Sequence, residues 1–244
     1  MRLSGSKKIE RFFKRLVDYT QLRRASHYVR NAGRPNAVFI WIPKNAGTSM
    51  YHALRRYGCV KTKEAGRIKY QFSQRGLVTF GHMDYHELLK EGYISEEFDR
   101  TAYKFCFSRD PYDRAVSTYV YLRNARGFEE TFLEFWRGID QNGPDPIGIQ
   151  HVTGTSQCNP QVRWIENIEM DFVGRYENLA EDFDRLTKEL GVPPHSMGHQ
   201  NRSRRKSPNQ YYCAETKAII EKLFAEDFEH FGYPLRPDSE LLDN

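Results

Sequence analysis

Nowhere does this 244-residue chain hold an apolar run approaching the roughly 20 residues that a membrane-spanning helix requires. Its first residues, MRLSGSKKIERFFKRL, lack the unbroken apolar core of a secretory signal. The compartment expected from this pattern is the cytoplasm. Cysteine is scarce: Cys59, Cys106, Cys158 and Cys213 stand apart, with no C-x-x-C pair and no flanking histidine pattern. Such spacing gives no expectation of a zinc site or a disulfide framework, and the four are read as reduced thiols. Internal repeats are missing as well. With 39% hydrophobic, 28% charged and 14% aromatic residues, the composition excludes wholesale disorder, collagen-like repetition and coiled coil. What remains is an ordinary globular chain, long enough for one α/β domain to bury its core without staples.

The net charge of +5 is unevenly placed. Residues 1–36 carry ten Lys/Arg against Glu10 and Asp18, while the other 208 residues hold 27 basic and 30 acidic groups. Within this arm Ile9, Phe12, Phe13, Leu16 and Val17 recur at helical spacing, an apolar stripe opposite a Lys/Arg-rich face. Two readings are open: a helix docked on its own domain, or one lying on a membrane surface or polyanion. No specific nucleic-acid recognition is expected.

From Ala37 the pattern changes. AVFIWIP (37–43) is a buried-strand run that passes through Lys44-Asn45-Ala46-Gly47-Thr48-Ser49 into a helical pattern stopping at Gly58. Further strand runs are LVTFG (77–81), AYKFCFS (102–108) and DFVGRYE (171–177). After the third, Asp110 can cap and Pro111 can open a helix to about Leu122. Helices are also expected at about 179–190 and 214–230, the last closed by Gly232. Strands alternating with helices imply a mostly parallel sheet covered on both faces, with ligands at the strands' carboxyl ends. Residues 138–163 read as a long loop of the kind that covers a substrate.

Two segments carry chemistry. Pro43 to Ser49 joins a buried strand to a helix, so backbone N–H groups and the positive helix end converge where an oxyanion can be cradled. This is not a Walker A loop, because Lys44 precedes Gly47 instead of following it. The second segment runs from Ser108 to Tyr119; there Arg109 leaves a strand end and Ser117 lies on the next helix, so a guanidinium and a hydroxyl can meet a second phosphate. The plain alternatives are a strand–turn–helix connection with a solvated lysine, and an Arg109–Asp113 surface ion pair beside a packed Ser117.

Taken together, IPKNAGTSM (42–50) and FSRDPYDRAVSTY (107–119) resemble the 5′-phosphosulfate loop and 3′-phosphate motif of sulfotransferases that use 3′-phosphoadenosine 5′-phosphosulfate (PAPS), most closely the carbohydrate, Golgi-type branch. FGH (80–82), PQVRWI (160–165), DFVGRYENLAEDFDRL (171–186), NRSRRKS (201–207) and FGY (231–233) follow in the family's order. The resemblance implies a single α/β domain at 37–236, a P-loop-like parallel sheet of about four or five strands flanked by helices, between the basic arm (1–36) and a short tail (237–244). It further implies that Lys44, Asn45, Ala46, Gly47, Thr48 and Ser49 hold the 5′-phosphosulfate. Arg109 and Ser117 would hold the 3′-phosphate, and Arg202 and Ser203 would close over the nucleotide. Lys44 would neutralise the bridging oxygen, and His82 would be the general base, with His86 as its rival. PAPS is then the co-substrate, no metal is required, and the acceptor is a hydroxyl on a carbohydrate or glycoconjugate.

Two other functions fit parts of the sequence. Asp110 at a strand end can imitate the magnesium-holding acid of a nucleotide or sugar kinase. The basic arm with Arg202, Arg204, Arg205 and Lys206 can serve a non-catalytic polyanion-binding module. Trp136, Tyr85 and Trp164 are read as either core residues or the lining of an acceptor cleft.

Overall fold

The protein is described by a computed structural model covering residues 20–144, 156–193 and 208–241. Five strands form one sheet: β1 (Ala37–Phe39), β2 (Val60–Lys61), β3 (Leu77–Thr79), β4 (Tyr103–Ser108) and β5 (Phe172–Arg175). All pairings are parallel, in the order β2-β3-β1-β4-β5. The four strand runs legible in the sequence are all present, and β2 is the fifth. It is two residues long, too short for an apolar run to announce it.

Alternation along the central strands explains why both faces are covered. Val38, Ile40 and Ile42 enter one core with Val78 and Cys106, whereas Ala37, Phe39 and Trp41 enter the other with Leu77, Phe105 and Phe107. Hydrogen-bonded pairing as a strand ends at Phe39, although Ile40 N still donates to Phe105 O at 2.9 Å. The apolar run thus continues as a buried backbone that delivers Lys44 to the end of the sheet.

Helices fill the connections: α1 (Gln21–Arg30), α2 (Gly47–Leu54), α3 (Ala65–Gln71), α4 (Tyr85–Lys90), α5 (Glu96–Thr101), α6 (Pro111–Arg126), α7 (Phe132–Asn142), α8 (Leu179–Glu189), α9 (Ala214–Leu223), α10 (Ala225–Phe231) and α11 (Asp238–Leu241). Asp110 caps α6 as its sequence implies, accepting from Tyr112 N and Asp113 N with Pro111 in the first turn. Two expectations need correction. The single helix at 214–230 is two, because Phe224 leaves helical geometry (φ −116°, ψ 23°) and is buried edge-on against Trp136. The expected loop at 138–163 does not start at 138, since α7 carries Thr131 and Glu134 as a complete capping box and runs through residues 138–142, and a 3-10 turn occupies Gln161–Trp164; residues 145–155 lie outside the described residues.

The stripe at Ile9 to Val17 lies outside the described residues. The arm's later part packs on the domain: on α1, His27 Nδ1 bonds Gln71 O at 2.7 Å and Arg24 Nη1 donates to Lys69 O at 3.4 Å. Leu22 and Val29 remain exposed on that helix. No described helix is long and apolar enough to cross a membrane.

Candidate active site

Neighbouring strands β1 and β4 send the chain in opposite directions, β1 toward β2 and β4 toward β5. A parallel sheet opens a crevice at such a switch point, outside the carboxyl ends of the two strands. The segments after β1 and β4 are the two that the sequence singles out, and the fold brings both to this crevice.

The first segment is strained. Lys44 and Ala46 both have positive φ, 71° and 60°, which side-chain-bearing residues adopt at a cost. A backbone turned this way directs successive N–H groups into one concavity. It leads directly into α2, whose first-turn N–H groups from Gly47 to Ser49 have no acceptor within the helix and carry its positive end. Lys44 arches over the entrance with its Nζ 4.0 Å from the centre of the Tyr121 ring.

Gly47 is required here for space. A Cβ on this residue would lie 1.7 Å from Trp41 Nε1. The indole has little room to retreat, being stacked between Phe39 and Tyr51 and crossed by Lys61 Nζ at 3.5 Å. Burial, and then the neighbouring Lys63, pull the Lys61 ammonium down to about 8. We expect Gly47→Ala to displace Trp41 and destabilise the fold by about 1–3 kcal/mol. A denaturant midpoint equal to that of the parent would show that the indole moves freely.

Arg109 leaves β4 beside this loop. It is almost fully buried; its Nη1 donates to Lys44 O at 3.2 Å, and its guanidinium lies 4.0 Å over the Tyr176 ring. The surface ion pair considered for Asp113 is replaced by one to Arg236, which reaches Asp113 at 3.5 Å and Asp110 at 2.8 Å. Asp110 therefore caps a helix and pairs with an arginine, a poor arrangement for the magnesium ligand of a kinase. Ser117, one and a half turns into α6, is buried with its hydroxyl lacking a hydrogen-bond partner among the described residues, as is the Thr118 hydroxyl beside it. The Asn45 side chain turns inward, donating to Phe107 O at 2.7 Å and to Gln161 Oε1 at 2.6 Å, and ties the loop to β4.

His82 follows β3 and reaches the same place through Trp41. Its Nδ1 is 3.0 Å from Trp41 O, and its ring meets that indole edge-on at 5.2 Å. A carbonyl only accepts, so Nδ1 carries the proton and the neutral ring keeps its lone pair on Nε2. Trp164 Nε1 in turn donates to His82 O at 3.2 Å. His86 lies one turn further on, in the first turn of α4.

Other expectations change. Trp136, Tyr85 and Trp164 are at most 2% exposed, so they pack the core and do not line a cleft. Arg202 and Ser203, with Arg204, Arg205 and Lys206, lie outside the described residues.

Several important residues give no signal of their own in the sequence. Arg114 is fully buried and donates to Pro43 O, Asn159 O and Gln157 O, bracing the entrance of the first loop; burial lowers its pKa. Glu177 accepts from Asp110 N and from the Tyr233 hydroxyl, both at 2.9 Å. In a linear reading, a helix arginine and a strand-end glutamate look solvated.

The family described as "Sulfotransferase family" matches residues 27–234. Carbohydrate sulfotransferase 14 of Danio rerio is 24% identical over 170 residues, covering 56% of this chain and 45% of that protein. The Mus musculus protein of the same name is 26% identical over 165 residues, covering 54% and 43%. The chain thus spans less than half the length of these curated relatives. An uncharacterised protein of Archaeoglobus fulgidus is 33% identical over 90 residues, 36% of this chain and 68% of that one. Among solved structures, mouse sulfotransferase SULT7A1 complexed with PAP shares the fold, with a TM-score of 0.50 at 16% identity, covering 87% of this chain and 88% of that one. Because the family model covers residues 27–234, from within α1 past α10 and across both loops at the switch point, the chain belongs to the sulfotransferase family.

Proposed function

We propose that this chain transfers the sulfuryl group of PAPS to a hydroxyl of a carbohydrate or glycoconjugate. The observation that carries the reading is the meeting of two phosphate-type loops, after β1 and β4, joined by the Arg109–Lys44 hydrogen bond at one switch point. Two features fit a nucleotide with phosphates at both its 3′ and 5′ positions: the positive φ of Lys44 and Ala46 just before α2, and the buried Ser117 hydroxyl that has no hydrogen-bond partner among the described residues. The names of the curated relatives support a carbohydrate acceptor.

PAPS supplies an activated sulfuryl group whose transfer spreads charge over equatorial oxygens, so the protein's task is positioning and fixed electrostatics. The N–H groups and hydroxyls of Gly47, Thr48 and Ser49 hold the 5′ end. Arg109 and Ser117 hold the 3′-phosphate, and Arg202 and Ser203 are assigned to closing over the nucleotide. Lys44 places its ammonium where negative charge grows on the leaving oxygen, and His82 Nε2 takes the acceptor's proton.

Calorimetry with 3′-phosphoadenosine 5′-phosphate (PAP) and adenosine 5′-phosphate tests the nucleotide half of this reading, and radiolabelled sulfate transfer to a panel of glycans and phenols tests the acceptor half. PAP should bind well and the monophosphate poorly. Arg109→Ala should weaken PAP by about 10- to 150-fold, the loss of a charge-assisted contact. A variant binding as tightly as the parent would remove Arg109 from the 3′-phosphate.

A further inference from the structure

We propose that Gln161 is a positioning residue that sets the spacing between the two phosphate loops. It sits on a short 3-10 turn (Gln161–Trp164) and is fully buried. Its Oε1 accepts from Asn45 Nδ2 at 2.6 Å and from Arg109 N at 2.9 Å. Its Nε2 donates to Arg109 O at 2.8 Å and to Asp227 Oδ2 at 3.2 Å. Two lone pairs and two N–H groups are all an amide possesses, and here all four are used. The orientation of the amide is fixed, because the N–H of Arg109 can only donate and its carbonyl can only accept.

One side chain therefore grips both backbone polar groups of Arg109 and, by the same oxygen, the side chain that anchors the first loop. Asp227 holds Gln161 itself from the far side, accepting also from Val162 N at 3.0 Å. No other residue type offers two acceptor sites and two donors at this reach. The first loop keeps its second tie, Asn45 Nδ2 to Phe107 O, without Gln161. Arg109 loses two of its backbone partners at once. The consequence should fall on the 3′-phosphate end of a ligand and on the distance between its two anionic groups, more than on the 5′ end alone.

The inference rests on the nucleotide reading above, and the test separates the two. Affinities for PAP and for adenosine 5′-phosphate are measured by calorimetry on the parent, Gln161→Met and Gln161→Glu, with thermal unfolding alongside. In Gln161→Met, PAP affinity should fall about 10-fold, with a smaller change for the monophosphate, so that selectivity for the 3′-phosphate drops. A residue with only a structural role would lower the unfolding temperature and leave that ratio alone. Gln161→Glu keeps the acceptor and has no donor until its carboxyl is protonated, which restores one of the amide's two donors. Its selectivity, relative to the parent at each pH, should be low near neutrality and recover as pH falls, and this variant decides the matter if the methionine protein does not fold. Selectivity equal to the parent's in the folded variants would overturn the inference. A parent that does not distinguish the two nucleotides would overturn the nucleotide reading itself.

Discussion

Replacing His82 by alanine should lower sulfate transfer by about 10²–10⁴-fold, the usual contribution of a positioned general base, while PAP affinity barely changes. An acceptor hydroxyl is a weak nucleophile until its proton is taken. The Nδ1 contact to Trp41 O leaves the lone pair of the neutral ring on Nε2, the atom that must accept that proton. His82 reaches the crevice from β3, whereas both phosphate loops issue from β1 and β4, which is why chemistry and nucleotide affinity should separate. Only the neutral imidazole acts as a base, so the parent's pH–rate profile should lose activity on its acid side, and the residual activity of the variant should lack that limb. His86→Ala should behave like the parent. If His86→Ala lost turnover and His82→Ala kept it, the role would pass to His86; retention in both would leave the reaction without a histidine base.

Lys44→Ala should reduce turnover by about 10²–10³-fold, by analogy with the loss of one preorganised donor at a developing oxyanion. Product-nucleotide affinity should suffer less. Lys44 is fixed by its backbone: a positive φ and the Arg109 bond to its carbonyl orient the residue, while its ammonium rests over Tyr121. A charge held near the leaving oxygen matters most when that oxygen becomes anionic, so kcat should carry the effect. Equal losses in turnover and in PAP binding would make Lys44 a binding residue and not one that acts on the transition state.

Much of the machinery was readable locally. A buried strand run, a loop with lysine before its glycine, and an Asp-Pro helix start each follow from short-range pattern, and β1, β4, α2 and the cap of α6 appear where those patterns put them. The loops were legible because a strand–turn–helix connection is made largely of backbone, which adjacent residues determine. The 214–230 helix failed for the opposite reason: its break at Phe224 accompanies an aromatic contact with Trp136, some ninety positions away in sequence, that no helical period encodes.

What the sequence determined by itself, then, is four of the five strands and the places of the two loops. Tertiary structure decided which residues serve those loops from a distance. The Asn45 side chain became an anchor of the first loop once β4 and the Gln161–Trp164 turn came alongside it. Buried Arg114 and Gln161, and Glu177 at the surface, take their meaning from backbone carbonyls and N–H groups brought to them by folding. A buried polar group is stable only with its partners in place, and those partners are contributed by segments that meet nowhere except in the folded chain.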